Sequence, residues 1–517
     1  MSDLFDRDLI QAEEELHQRL AKASTMRPVV HPTLADRERR GRVARAEVPR
    51  SELGAWLPAA DRPDPVALLM GQEESRVQDL VPLRHARMAV SPFAFYRGSA
   101  LVMASDLASQ PRTALDVQLC GDAHLSNFGV FGAPDRTLVF DVNDFDETHP
   151  GPFEWDVKRL VTSFLLATRD SGLSDRVGQE AATAASASYR TSMAEFAQMP
   201  EIDLWYERLD LAGVYATITG SEVVPTSKEL ARRARRIIDT AAEKARSRDS
   251  WSAVSKLTEV VDGQRRFRSQ PPVLARLDLD DDVAALFRQL FREYRATLQE
   301  DRQELLKRYE IIDFGHKVVG VGSVGLLAFV FLLRGRDDED LMVLQVKQAQ
   351  SSVLEAFTRP SVYTRHGRRV VVGQRLMQAA SDSFLGWIDG PRGRSFYVRQ
   401  LRDMKWSPDP SRFDELRIQR FAVVTGRTLA RAHARAGDAV ALAAYLGKGR
   451  AFDKAMVAFG KAYVRQVDED YAAFMAAIRD GRITAYEEPA GAQVVTAVGT
   501  LSNAGLAEPA PPATPAK

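Results

Sequence analysis

The ten residues CGDAHLSNFG at 120–129 constrain this chain more than any other stretch. They set an acid, an imidazole and an amide among turn-forming residues, with Asp122 and Asn127 five positions apart. The apolar run ALDVQL precedes them and LVFDVNDFDE follows, so the pattern predicts strand, tight loop and strand, with a further acid, Asp144, at the end of the second strand. Such a set suits phosphoryl transfer. One carboxylate can accept or orient a hydroxyl proton, while an amide oxygen and a second carboxylate hold Mg²⁺ against the phosphates of a nucleotide. In isolation, Asp and Asn in a loop commonly do no more than bond their own backbone into a turn. The weight of the stretch therefore depends on what the rest of the chain brings to it.

With 517 residues, 45% of them hydrophobic, the chain exceeds the usual single domain and can bury a real core, so two or three packed units are expected. Lys+Arg and Asp+Glu stand at 70 each, which excludes a global basic field for nucleic acid and an acidic excess for disorder. The single cysteine, Cys120, excludes an intrachain disulfide and fits a reducing compartment. The start MSDLFDRDLI lacks a basic stretch followed by an apolar one, and the apolar run 318–333 is short for a bilayer and holds three glycines. A cytoplasmic protein without a membrane partner is expected.

Residues 1–62 combine a helix over 9–24 with the charged run ADRERRGRVARAEVPR, which reads as a solvated arm. In SPFAFYRGSA, 91–100, the aromatics Phe93, Phe95 and Tyr96 read as core, and Arg97 is a lesser candidate for an anionic ligand. After the central loop, Val157, Leu160, Val161, Phe164 and Leu165 mark an amphipathic helix with Asp156 in its first turn, where a carboxylate is favoured and can brace the loop. Residues 176–311 read as a mostly helical bridge or substrate cap, including a basic helix and scattered arginines such as Arg265 and Arg266.

Near 312 the texture becomes strand-like. Gly320, Gly322 and Gly325, with Ser323 among them, spell G-x-G-x-x-G between two apolar runs, and the run that follows reads as a strand rather than the helix a dinucleotide fold requires. That context predicts a flap whose backbone N–H groups can cover phosphates. The next strand, LMVLQVKQA, carries Lys347, which must snorkel out or meet an anion. Glu355 or Gln374 could orient it. A hairpin turns at Asp389-Gly390-Pro391, a polar connector runs from Gln400 to Lys405, and helices are expected over 412–435 and 440–480. In the former, His433 reads as a packed core residue. Cys120, at a strand end, reads as inert packing. From 487 the chain turns to Ala, Pro, Thr and Gly, and a disordered tail is expected.

Taken together, GDAHLSN, NDFDE and the helix opening at Asp156 resemble the catalytic and metal-binding loops of aminoglycoside phosphotransferases and their protein-kinase relatives, and the Gly loop with Lys347 resembles the nucleotide half of that fold. The whole chain resembles a bacterial family of unknown function bearing these motifs. The resemblance implies an α+β, two-lobed, kinase-like fold with a large helical insertion. Residues 63–175 and 409–486 would form the helical lobe and 312–408 the sheet lobe. It implies ATP and Mg²⁺, with Asp122 as catalytic base, Asn127 and Asp144 on the metal, Asp146 as an extra ligand, Asp156 structural, and Lys347 with the Gly loop on the phosphates. Three departures stand out: the Gly loop follows the catalytic loop, as in a circular permutation; Cys120 replaces the family's histidine; and Asp144-Phe145-Asp146 replaces Asp-Phe-Gly. The literal Asp313-Phe314-Gly315 precedes the flap and has no catalytic role in this scheme. The expected activity is transfer of a phosphoryl group to an unidentified small-molecule or protein hydroxyl. AMP transfer on the same fold, or ATP binding without chemistry, are the alternatives, and oligomeric state is not legible.

Overall fold

The helix Glu154–Asp170 is the element around which the others pack in this computed structural model, which describes residues 31–486 apart from 222–223, 225, 248–249, 272, 278–280, 319–321 and 402–403. Every residue from Glu154 to Thr168 is buried, so the helix is enclosed on all sides and not amphipathic as expected. It is surrounded by Asp175–Phe196, Ala451–Arg479 and Pro92–Gly98. Its polar side chains therefore need internal partners: the Ser163 hydroxyl donates to Leu160 O at 2.6 Å, and the Lys158 ammonium lies 4.3 Å from the centre of the Phe459 ring.

The helices Asp175–Phe196 and Glu415–Ala436 pack along one another. A Cβ at Gly426 would stand 2.3 Å from Ala185 O, so only glycine lets the two backbones approach this closely. The start of the expected bridge thus belongs to the main core, which runs from Ala44 to Ile483. The charged run near the N-terminus is also a docked element and not a solvated arm. Residues Leu34–Glu47 form a helix capped by Thr33, and Gly41 meets Ala441 so tightly that a Cβ would stand 2.1 Å from its carbonyl oxygen. Arg37 pairs with Asp438 at 2.8 Å.

The second unit is a six-stranded antiparallel sheet in the order Gly386–Asp389, Ser395–Gln400, Leu341–Ala349, Ala328–Arg334, Glu310–Lys317, Leu274–Arg276. One face is covered by Asp281–Arg295 through Phe291 and Tyr294, and the other by Val254, Phe267 and Leu401. The strand Leu341–Ala349 is consequently buried along its whole length. The edge strand Leu274–Arg276 moves the start of this unit ahead of the expected boundary at 312. Asp313 accepts from Phe267 N at 2.6 Å and Arg276 Nε at 3.2 Å, a structural role.

The loop region keeps the expected strands on either side of the loop, Asp116–Leu119 and Leu138–Val142, and adds a strand, Phe128–Gly132, so that the two expected strands do not pair with each other. Asp116–Leu119 pairs with His149–Pro152, and a separate hairpin, Phe128–Gly132 with Leu138–Val142, lies between them. Among the described residues no helix is long and apolar enough to cross a membrane. The expected helix over 9–24 and the tail from 487 lie outside the described residues.

Candidate functional site

The loop 120–127 is held from below by the central helix. Asp156 accepts from Cys120 N at 2.8 Å and Gly121 N at 3.1 Å, and its carboxylate also meets His433 Nε2 at 3.1 Å. His433 in turn pairs through Nδ1 with the Tyr189 hydroxyl at 2.9 Å, which makes it the packed core histidine expected from the sequence. Gly121 has φ +84°, and a Cβ there would stand 2.2 Å from Glu147 O, so the turn requires glycine. One helical turn beyond Asp156, Arg159 donates from Nε to Asp122 Oδ1 at 2.8 Å and from Nη2 to Tyr96 O at 2.7 Å. Sequence reasoning misses Arg159. Its only signal is its position three residues after Asp156 in a helix that turns out to be buried.

Asp122 therefore has one oxygen fixed by Arg159, while Oδ2 lies 3.6 Å from His124 Nε2. Burial pushes the Asp122 carboxyl above its ordinary value, against the pull of Arg159 and Arg97. Asn127 donates from Nδ2 to Asp122 O at 2.9 Å, so its amide oxygen is the atom left to meet a cation. Burial, and then the neighbouring Asp146, push the Asp144 carboxyl up. Cys120 is buried, and burial together with Asp156 pushes its thiol well above its ordinary value, consistent with inert packing.

The sheet unit meets this loop at Asp146. Lys347 Nζ donates to Asp146 Oδ2 at 2.6 Å, the Ser323 hydroxyl donates to the same oxygen at 3.1 Å, and the Tyr397 hydroxyl donates to Oδ1 at 2.5 Å. Burial opposes both charges of the Lys347–Asp146 pair, yet their attraction prevails: the Asp146 carboxyl is held at about 2 and the Lys347 ammonium is pushed up. One expectation is corrected here. Lys347 is oriented by Asp146 and not by Glu355, whose Oε1 accepts from Ser361 N at 2.8 Å, nor by Gln374, which donates to Gln378 Oε1 at 2.9 Å. Asp146, expected as an extra metal ligand, has both oxygens engaged by protein donors, Lys347 among them. Tyr397 also escapes sequence reasoning; its pairing opposite Lys347 in the sheet register explains its reach.

The Gly-rich loop sits above. Gly325 has φ +89°, and its carbonyl accepts from Val77 N at 2.8 Å. Arg76 donates from Nη1 to Gly322 O at 2.8 Å and Val324 O at 2.5 Å. Gly320 lies outside the described residues. Beneath the loop, a cavity of about 510 Å³ is lined by Asp122, Asn127, Asp144, Asp146, Gly322 and Ser323, together with Arg97. A second, of about 690 Å³, shares Asp144 and Ser323 and adds Lys347, Arg399 and Lys405. The shared residues make the two cavities neighbouring halves of one cleft. Burial, helped by Arg399, pushes the Lys405 ammonium down to about 7.

Among the described residues no three of His, Cys, Asp and Glu cluster as a metal site. Asn127 and Asp144 line the same cavity, and their amide and carboxylate oxygens are donors that could hold Mg²⁺ together with waters and phosphate oxygens. Asp144, half-buried beside a second carboxylate, would be relieved by such a cation.

No curated protein matches the chain, and no solved structure matches it. One family does, described as an uncharacterised protein conserved in bacteria (DUF2252), over residues 76–477, a span that includes the loop, the flap and Lys347. The chain belongs to this bacterial family.

Proposed function

We propose that this protein is an ATP- and Mg²⁺-dependent phosphotransferase with a kinase-like, two-lobed arrangement in circularly permuted order. The observation that carries the proposal is the Lys347–Asp146 contact, which joins two segments 201 positions apart in sequence and brings the Gly loop over Asp122, Asn127 and Asp144. A sheet unit carrying flap and lysine, facing a helical unit carrying base and metal acids, supports a nucleotide in the cleft and an acceptor at Asp122.

In this mechanism Arg159 fixes Asp122 Oδ1, and Oδ2 takes the hydroxyl proton of the acceptor. The acceptor oxygen forms a bond to the terminal phosphorus as the bond to the β–γ bridging oxygen breaks, and ADP leaves with that electron pair. Asn127 and Asp144 would hold Mg²⁺, which would supply charge neutralisation on the phosphates. Lys347 and the backbone N–H groups of the flap orient them, so the protein contributes position and electrostatic stabilisation. Asp146 keeps Lys347 in place, a duty that falls here to an acid beside Asp144 and not to a helix glutamate.

The test is transfer of label from ATP to a panel of hydroxyl acceptors, with Asp122→Asn as the control. Label retained from the γ-phosphate and lost in the variant is the expected result. Full turnover in Asp122→Asn would overturn the mechanism. Label retained only from the α-phosphate would replace phosphoryl with AMP transfer, and nucleotide binding without any transfer would leave a non-catalytic ATP-binding regulator.

A further inference from the structure

Arg97 is the cation in the catalytic cavity that has no hydrogen-bonded or ion-paired partner among the described residues. Its Nε is buried without a partner, its guanidinium lies 5.9 Å from the centre of the Phe93 ring, and the residue lines the cavity that holds Asp122 and Asp144. The other cations of that cavity are engaged. Arg76 holds the carbonyls of Gly322 and Val324, and Arg84 is paired with Glu73.

The backbone around Arg97 is fixed on both sides. Tyr96 O accepts from Arg159 at 2.7 Å, and Gly98 O accepts from Arg84 at 2.6 Å. A Cβ at Gly98 would stand 2.6 Å from the Met88 side chain, so the turn is packed as well as bonded. Arg97 O lies 3.6 Å from where a Cβ on Gly322 would stand, which sets the residue directly beneath the flap. A guanidinium is costly to hold partly buried without a partner, and its fork of donors matches phosphate oxygens. An arginine meant only to balance Asp122 would contact it, as Arg159 does.

We propose that Arg97 is an oxyanion-binding residue that takes a phosphate oxygen in the space between Asp122 and Asp144. This rests on the phosphotransferase proposal and adds to it a cation from the helical segment ahead of the catalytic loop. The phosphate has two sources: the terminal phosphate of the nucleotide, or a phosphate carried by the acceptor.

The test is calorimetry with Mg·ATP, Mg·ADP and pyrophosphate on the wild-type protein, Arg97→Gln and Arg97→Lys, with urea unfolding to show that each variant folds. If the terminal phosphate is the ligand, the wild type prefers ATP to ADP by about 10- to 100-fold, the worth of one charge-assisted hydrogen bond. Arg97→Gln then loses that preference while keeping its affinity for ADP, and Arg97→Lys retains part of it. An unchanged ATP-to-ADP ratio, with weaker pyrophosphate binding to the variant when Mg·ADP is saturating, assigns the site to an acceptor phosphate. Wild-type behaviour of Arg97→Gln toward all three probes overturns the proposal. If the wild type binds neither nucleotide, the phosphotransferase proposal fails on its own, and Arg97 is still judged by pyrophosphate: affinity lost in Arg97→Gln supports the oxyanion site, and equal affinity refutes it.

Discussion

The loop 120–127 and the Gly-rich loop face each other across one cleft but are held in opposite ways. The first is anchored through its backbone N–H groups by buried side chains of a single enclosed helix: Asp156 takes Cys120 and Gly121, and Ser163 takes Leu125 N at 3.0 Å. The second is anchored through its carbonyls by Arg76 and Val77, and through Ser323 by Asp146 across the cleft. Buried side chains that satisfy N–H groups leave the first loop's side chains to present to a ligand, while its carbonyls at Asp122, His124 and Asn127 are bonded within the loop and to Asn143 N. The second loop is held the other way about, through the carbonyl oxygens of Gly322, Val324 and Gly325. The difference teaches that one loop is a floor tied to a single helix, and the other a cover tied to residues of the facing unit.

The largest expected effect breaks the floor. Asp156→Ala leaves two backbone N–H groups and His433 without their shared acceptor, and urea unfolding should show a loss of about 3–5 kcal/mol. A loss under about 1 kcal/mol would show that the loop does not depend on that carboxylate.

A pH scan separates the two sides next. His316, on the strand leading into the flap, has neither ring nitrogen partnered among the described residues, and burial pushes its imidazole from the ordinary 6.5 down to about 4. Between those values the unfolded chain binds the proton and the folded one does not, so stability is fully present above pH 6.5. It is lost as the pH falls toward 4, by about 3 kcal/mol. In His316→Phe that part of the acid slope should vanish in unfolding curves taken between about pH 4 and 7.

Arg76→Met should loosen the cover without touching the floor. Two carbonyls lose their donor, so stability falls by about 1–3 kcal/mol, and limited proteolysis should first cut near 322–326. The smallest effect is expected of Glu355→Gln. Because Asp146 and not Glu355 holds Lys347, nucleotide affinity should stay within about twofold of wild type.

Local pattern makes much of this legible. The apolar run LMVLQVKQA places Lys347 on its strand, the hairpin turning at Asp389-Gly390-Pro391 falls where the turn residues stand, and the first-turn Asp156 does brace the loop. What escapes depends on burial and on contacts between distant segments. Nothing in the period of the Glu154–Asp170 helix announces that its polar side is also enclosed, so Arg159 passes for a surface residue. The docking of Leu34–Glu47 rests on Gly41 meeting Ala441, and a charged run hides that glycine. Proximity in sequence points Lys347 toward Glu355 and Gln374, whereas its partner is Asp146, on the far side of the cleft.

The most direct measurement is calorimetric titration of ATP, with and without Mg²⁺, into the wild-type protein, Lys347→Ala and Asp144→Ala. Metal-dependent binding to the wild type, weakened by both substitutions, is the predicted result, since one residue comes from the sheet unit and the other from the helical unit. Absence of ATP binding in every form, or binding indifferent to both substitutions, would contradict the claim that the two loops form one nucleotide site.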